Sequence, residues 1–355
     1  MTTSPFKFLD AYQKEDRDRF FGRERETAQL YNAVRASNLV LVYGASGTGK
    51  TSIINCGLAN QFVDSDWLPL FVRRGTDLNA SLEHALRSAR RSDAVSSASS
   101  INERVRDLYL DHYRPIYLIV DQFEELFILG SKEEQSTFYE SVRQLLATNS
   151  PCKLLISIRE EYIADLSQFE RVVPTLFDNR LRVEKMNDSN LARIVMGTAR
   201  AVGIHVGDPP NTVQRILDNI RDRRTGIDLA NLQVYLDRLW RADRERQKTD
   251  QPQTITFDVA LTDRVGKLEN VISAFLDEEL LTIEQGLAKR GVTQPQGIPL
   301  EVIFALVTEE GTKRNLDVVG ILEALPANRA ISEETVRYCL SEFERIRVLR
   351  PLASA

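Results

Sequence analysis

Four short apolar runs punctuate the first half of the chain: NLVLVYG, LPLFVRR, PIYLIVD and KLLISIR. Within each run the apolarity is continuous rather than alternating, the pattern of strands covered on both faces, as in a parallel sheet wrapped by helices. Between them lie stretches whose apolar positions recur at helical spacing: RETAQLYNAVRAS, LNASLEHALRSAR, INERVRDLYLDHY and EEQSTFYESVRQLLAT. Strand and helix therefore alternate, which predicts an α/β unit. The serine-rich SDAVSSASS reads as an exposed loop.

After about residue 185 the strand runs mostly disappear. NDSNLARIVMGTARAVG, NTVQRILDNIRD and LANLQVYLDRLWRADRERQ are helix patterns, and Leu268, Val271, Ile272, Phe275, Leu280 and Ile283 form one helical stripe. The pattern changes again at Gly297 and Pro299. Apolar helices at PLEVIFALV and VVGILEAL, a capped helix at SEETVRYCLSEFERI and a strand-like RVLRPL follow in the order of a winged helix. Ser332 is the expected cap, with Thr335 too far inside to take part, and Glu333 and Glu334 suit the positive helix start. Three domains are expected, at 1–185, 186–293 and 294–355.

The first apolar run leads straight into chemistry. In LVYGASGTGKTS, Gly44, Gly49, Lys50 and Thr51 satisfy GxxxxGK[ST] between a predicted strand and a predicted helix. Glycines there let the backbone curl so that successive N–H groups meet phosphate oxygens, and the helix start adds positive potential. Gly44, Ser46, Gly47, Thr48, Gly49, Lys50, Thr51 and Ser52 are the expected phosphate-binding residues. Lys50 would reach the β- and γ-phosphates, and Thr51 would hold Mg²⁺. The fold class is thus α/β: a P-loop NTPase core with a parallel sheet, followed by an all-helical domain and a winged helix.

In YLIVDQFEELF the expected apolar strand ends in Asp121, with Glu124 and Glu125 just beyond. A carboxylate at a strand end beside a phosphate loop suits a second Mg²⁺ ligand, and Glu125 is the expected water-polarising base, with Glu124 beside it. The plainer alternative is that Glu124 and Glu125 simply open a helix, where acids are favoured. In LLISIREEY the expected buried strand ends in Arg159, read as a γ-phosphate sensor or, alternatively, as an ion-pair partner of Glu160, Glu161 or Asp165.

Charge narrows the partners. The 355 residues carry a net charge of −5, which supplies no basic field for nucleic acid or an anionic membrane. From Gln294 onward there are seven Lys and Arg against nine Asp and Glu. The helix of the expected winged helix that would enter a DNA groove carries Glu333, Glu334, Glu342 and Glu344. Cys56, Cys152 and Cys339 are odd in number and lack metal spacing, and no run is long and apolar enough for a signal peptide or a membrane span. A soluble, cytoplasmic protein is expected.

The arrangement FFGRERE, GASGTGKTS, LIVDQFEEL and SIREEY, followed by helical and winged-helix segments, resembles the bacterial STAND NTPases, and among them the novel-STAND branch. DQFEE looks like the DGxDE-type acid motif of the related NACHT proteins. The resemblance implies that Phe21, Gly22 and Arg23 bind the base, and that GIDLANLQVYLDRLW is similar to the GLPL segment, with Asp228 where proline is common. STAND winged helices often supply a histidine to the β-phosphate. His84, His112 and His205 all precede Gly297, so either that contact is absent or the chain stops short of it, with any sensor or effector region downstream of Ala355.

The function so implied is an ATP/ADP-controlled switch that hydrolyses ATP slowly with Mg²⁺ and self-associates in its ATP form, in bacterial signalling or anti-phage defence. Its trigger and effector are not legible. The alternatives are a replication-initiator-like AAA+ ATPase whose winged helix binds DNA, a small-molecule kinase, and a scaffold that binds nucleotide without turnover.

Overall fold

The computed structural model describes residues 4–7, 10–91, 100–148, 150–222, 226–247, 254–308, 314, 316–326, 329, 331–345 and 348–349. Helix α1 (Glu24–Ala36) leads into strand β1 (Leu39–Gly44), a loop, and the short α2 (Lys50–Ser52), which runs on as a π-helical stretch, Ile53–Leu58. Then follow β2 (Leu68–Val72), α3 (Leu78–Ser88), α4 (Ile101–His112), β3 (Ile116–Val120), α5 (Glu125–Ile128), α6 (Lys132–Leu146), β4 (Cys152–Arg159), α7 (Ser167–Val172) and β5 (Arg180–Arg182). The strands form one parallel sheet in the order β2-β3-β4-β1-β5.

Continuous apolarity has the expected consequence: every residue of β3 is buried, and the sheet is covered on both faces by separate apolar clusters. One holds Leu41, Leu118, Ile156 and Phe138; the other holds Val40, Val42, Ile53 and Leu155. Burial at about 25 cal/mol per Å² of apolar surface is the dominant stabilising term for such a core. Most of SDAVSSASS lies outside the described residues. Its last residue, Ser100, caps α4 by accepting from the Glu103 N–H at 3.3 Å while Glu103 accepts from the Ser100 N–H.

The second unit comprises α8 (Asp188–Ala201), β6 (His205–Val206), α9 (Pro209–Ile220), α10 (Leu229–Gln247), β7 (Thr256–Phe257), α11 (Val259–Val265) and α12 (Leu268–Lys289). It is not wholly helical. Strands β6 and β7 pair in parallel, and the buried Asp243 holds the strand start by accepting from the Thr256 N–H at 2.9 Å. Phe6, far away in sequence, sits in this core beside Phe257. Helix α12 serves two cores: Leu268 packs with the second unit, Ile283 and Leu287 with the third.

The third unit contains α13 (Ile298–Ala305), α14 (Val318–Ala324) and α15 (Glu333–Arg345), packed around Val302, Ile321, Val336 and Phe343. Ser332 accepts from the Thr335 N–H at 3.2 Å, and the two hydroxyls lie 2.9 Å apart. Thr335 therefore joins the cap it was expected to miss. Of the strand-like RVLRPL only Val348 and Leu349 are described; both donate to the Phe343 carbonyl, and the rest lies outside the described residues.

Candidate functional site

Parallel pairing aligns the carboxyl ends of the strands. Gly44 is in register with Arg159, Val120 with Ile156, and the Asp121 N–H donates to the Val72 carbonyl. The residues just past β1, β2, β3 and β4 thus meet along one edge, where open α/β sheets bind their ligands.

Two glycines make the loop after β1 possible. Gly44 has φ +156°, and a Cβ there would lie 2.3 Å from the Val183 carbonyl oxygen; Gly47 has φ +72°, and a Cβ would lie 1.8 Å from Asp228 Oδ2. Any side chain at either position forces a collision. Lys50 Nζ donates to the carbonyls of Gly44 at 2.8 Å and Ala45 at 3.0 Å. Burial pulls its ammonium below the ordinary lysine value, while Glu124 and Asp121 pull the other way.

Beside the loop, Thr51 Oγ1 is 3.2 Å from both carboxylate oxygens of the buried Asp121. A hydroxyl and a carboxylate together are the hard oxygen donors that Mg²⁺ takes. Asp121 Oδ2 also accepts from Arg73 at 2.7 Å. Glu124 is buried and held twice by Arg159, whose Nε lies 2.9 Å from Oε1 and whose own N–H donates to Oε2 at 3.2 Å. Arg159 is therefore an ion-pair partner, but of Glu124 rather than Glu160, Glu161 or Asp165.

A cavity of about 270 Å³ opens over these groups. Ser46, Gly47, Gly49, Lys50, Thr51, Ser52, Asp121, Glu124 and Arg159 line it; Gly44, Thr48 and Glu125 do not. Thr48 turns its hydroxyl to the Ala45 carbonyl, and its own carbonyl accepts from Arg23. Glu125, the residue expected to polarise water, instead opens α5. The reason is local. Gln122 takes φ +59°, Phe123 drops into the core, and the turn brings Glu124 to the strand ends.

Apolar side chains also line the cavity: Phe21, Met186, Ile194, Leu229 and Leu232. Phe21 lies against α8 so closely that a Cβ on Gly197 would come 2.7 Å from its ring. Gly22 is outside the wall, facing Asn190 and Ile194. Arg23 lines the cavity but is 2% exposed, and its guanidinium donates to the Thr48 and Glu184 carbonyls at 2.7 and 2.8 Å. These bonds brace the loop from the cavity wall. Tyr12 also lines this end, and its N–H donates to Ser52 Oγ at 3.1 Å. Burial pushes its phenol up to about 12, so it stays neutral.

Sequence reasoning missed Arg73, Tyr12, Gln233 and Ser157 as site residues. Ser157 had a signal, a lone polar residue inside the apolar run LLISIR. Among the described residues no His, Cys, Asp and Glu cluster forms a metal site by itself, and no helix is long and apolar enough to cross a membrane.

Residues 5–274 match a family model described as Novel STAND NTPase 1. Among solved structures, the chain is similar in fold to the ORC2 protein of Aeropyrum pernix, solved as ADPNP–ADP complexes, with TM-score 0.52, 12% identity and coverage of 98% of this chain and 97% of that one. The Aeropyrum pernix ORC1 protein in complex with DNA gives 0.47, 16%, 93% and 85%, and a Walker-type ATPase of Pyrococcus abyssi gives 0.47, 14%, 93% and 98%. No curated protein matches the sequence.

Proposed function

The chain belongs to the Novel STAND NTPase 1 family, and from that premise we propose that it is an ATP/ADP-controlled switch whose slow hydrolysis sets which arrangement of its units prevails. The observation that carries this reading is the composition of the cavity wall. Phosphate-loop residues line it together with Ile194 of α8 and Leu229, Leu232 and Gln233 of α10. A nucleotide held there would touch both units, so its phosphate state could bias their arrangement through differential affinity.

The reading gives each of these residues a role. Lys50 and the loop's backbone N–H groups bind phosphate oxygens, and Phe21 with Met186, Ile194 and Leu229 covers the base. Thr51 and Asp121 would hold Mg²⁺, which when bound neutralises charge on the phosphates. Glu124, rather than Glu125, orients and deprotonates the attacking water. Arg159 meets the γ-phosphate, and because it already grips Glu124, sensing and catalysis share one ion pair. A base so occupied turns over slowly. In the ATP form the protein would self-associate, and the signalling or defence output rests on family likeness. The acidic balance of the chain and of α15 argues against DNA as the partner.

The test is light scattering of Glu124→Gln with ATP and Mg²⁺ beside wild type with ADP. The reading expects a larger mass for the variant with ATP than for wild type with ADP, and loss in the variant of the ATP hydrolysis that wild type retains. Retained hydrolysis would remove Glu124 from the mechanism.

A further inference from the structure

Two adjacent arginines follow β2, and they do different things. Arg74 is buried and forks onto Glu134 of α6, with Nε at 2.9 Å and a terminal nitrogen at 2.8 Å. Arg73 turns the other way. Its side chain is 45% exposed, yet one terminal nitrogen reaches Asp121 Oδ2 at 2.7 Å, on a carboxylate only 7% exposed that also accepts from Thr51.

We propose that Arg73 is a positioning residue that competes with the divalent cation for Asp121, so that the protein holds a nucleoside diphosphate with little dependence on Mg²⁺. The inference rests on the reading of Asp121 as a metal ligand. The two acids past β3 that line the cavity are each held by an arginine: Arg159 of β4 serves Glu124, and Arg73, just past β2, serves Asp121. A nearly buried carboxylate without a counter-charge is strongly unfavourable, and Arg73 supplies that charge whether or not a metal is bound.

A divalent ion brought to Thr51 and Asp121 meets the fixed positive charge of Arg73 within a few ångströms. Repulsion of that kind lowers metal affinity by roughly tenfold or more even with the screening expected near a surface. Loss of Arg73 should therefore strengthen metal binding while making nucleotide binding depend on it. An arginine that merely orients Asp121 for the metal would do the opposite.

The probe is Mn²⁺, followed by the electron paramagnetic resonance signal of the free ion, added to the protein with saturating ADP. Arg73→Gln is expected to bind Mn²⁺ about tenfold more tightly than wild type. Arg73→Lys, which keeps the charge, should stay within about twofold of wild type on the same grounds. In parallel, ADP affinity in EDTA should fall in Arg73→Gln and return when Mg²⁺ is added. Unchanged or weaker Mn²⁺ binding by a folded Arg73→Gln overturns the proposal. Asp121→Asn separates the two readings: if it leaves Mn²⁺ affinity intact, Asp121 is no metal ligand and the premise fails first. Thermal melting with bound ADP checks that each variant is folded.

Discussion

Lys50 rests its ammonium on two carbonyls of its own loop, the positions from which a side chain of that length can swing to a phosphate. Lys50→Ala removes that cation and leaves the backbone donors, so ATP affinity should fall on the order of 10–100-fold, as for loss of a charge-assisted hydrogen bond. Titration with Mg²⁺-ATP measures it, and unchanged affinity would contradict the phosphate-loop role. Arg159→Ala should lower the preference for ATP over ADP, because a residue that meets only the γ-phosphate has nothing to contact in the diphosphate. Equal loss of both affinities would make Arg159 only the partner of Glu124. The spacing from Gly44 to Thr51 was legible in the sequence because backbone curvature demands glycine at fixed positions. Which of Glu124 and Glu125 faces the cavity was not, since a single turn at Gln122 decides it.

At the scale of elements, continuous apolarity marked four strands of the sheet correctly: β3 is buried throughout, β1 and β4 nearly so, and even the edge strand β2, with Phe71 half exposed, carries an apolar run. The fifth, β5, is three residues alternating exposed and buried, and Leu181 alone carries its burial, so no run announced it. Strands β6 and β7 were invisible for the same reason: two residues show no period. The Arg74–Glu134 pair is an element-level device. Glu134 also accepts from the Leu78 N–H at 2.7 Å, so one carboxylate ties the end of β2 to α6 and to the start of α3. Glu134→Ala strands a buried guanidinium and should destabilise the protein by about 3–5 kcal/mol. Urea unfolding tests this, and a change below about 1 kcal/mol, the range of an exposed pair, would show that the pair is effectively solvated.

In the whole molecule, the N-terminal segment and α10 join what the strand pattern and the helix pattern seemed to keep apart. Phe6 is buried in the core of the second unit, the Lys7 N–H donates to Gln233 of α10 at 3.2 Å, and a few residues on the Tyr12 N–H donates to Ser52 beside the phosphate loop. The Asp228 carboxylate meanwhile sits against Gly47 and caps α10 by accepting from the Ala230 N–H. In the proposed switch, a phosphate charge arriving in the loop would act on that carboxylate and, through it, on the helical unit. The three native cysteines are all buried, so dyes placed on Thr137→Cys in α6 and Glu245→Cys in α10, both exposed, report the separation of the two units. In the Glu124→Gln background with Mg²⁺, single-molecule energy transfer between these positions should show one distance with ADP and a population shifted to a second distance with ATP. The same distribution with both nucleotides, at saturating binding, would contradict a nucleotide-controlled switch.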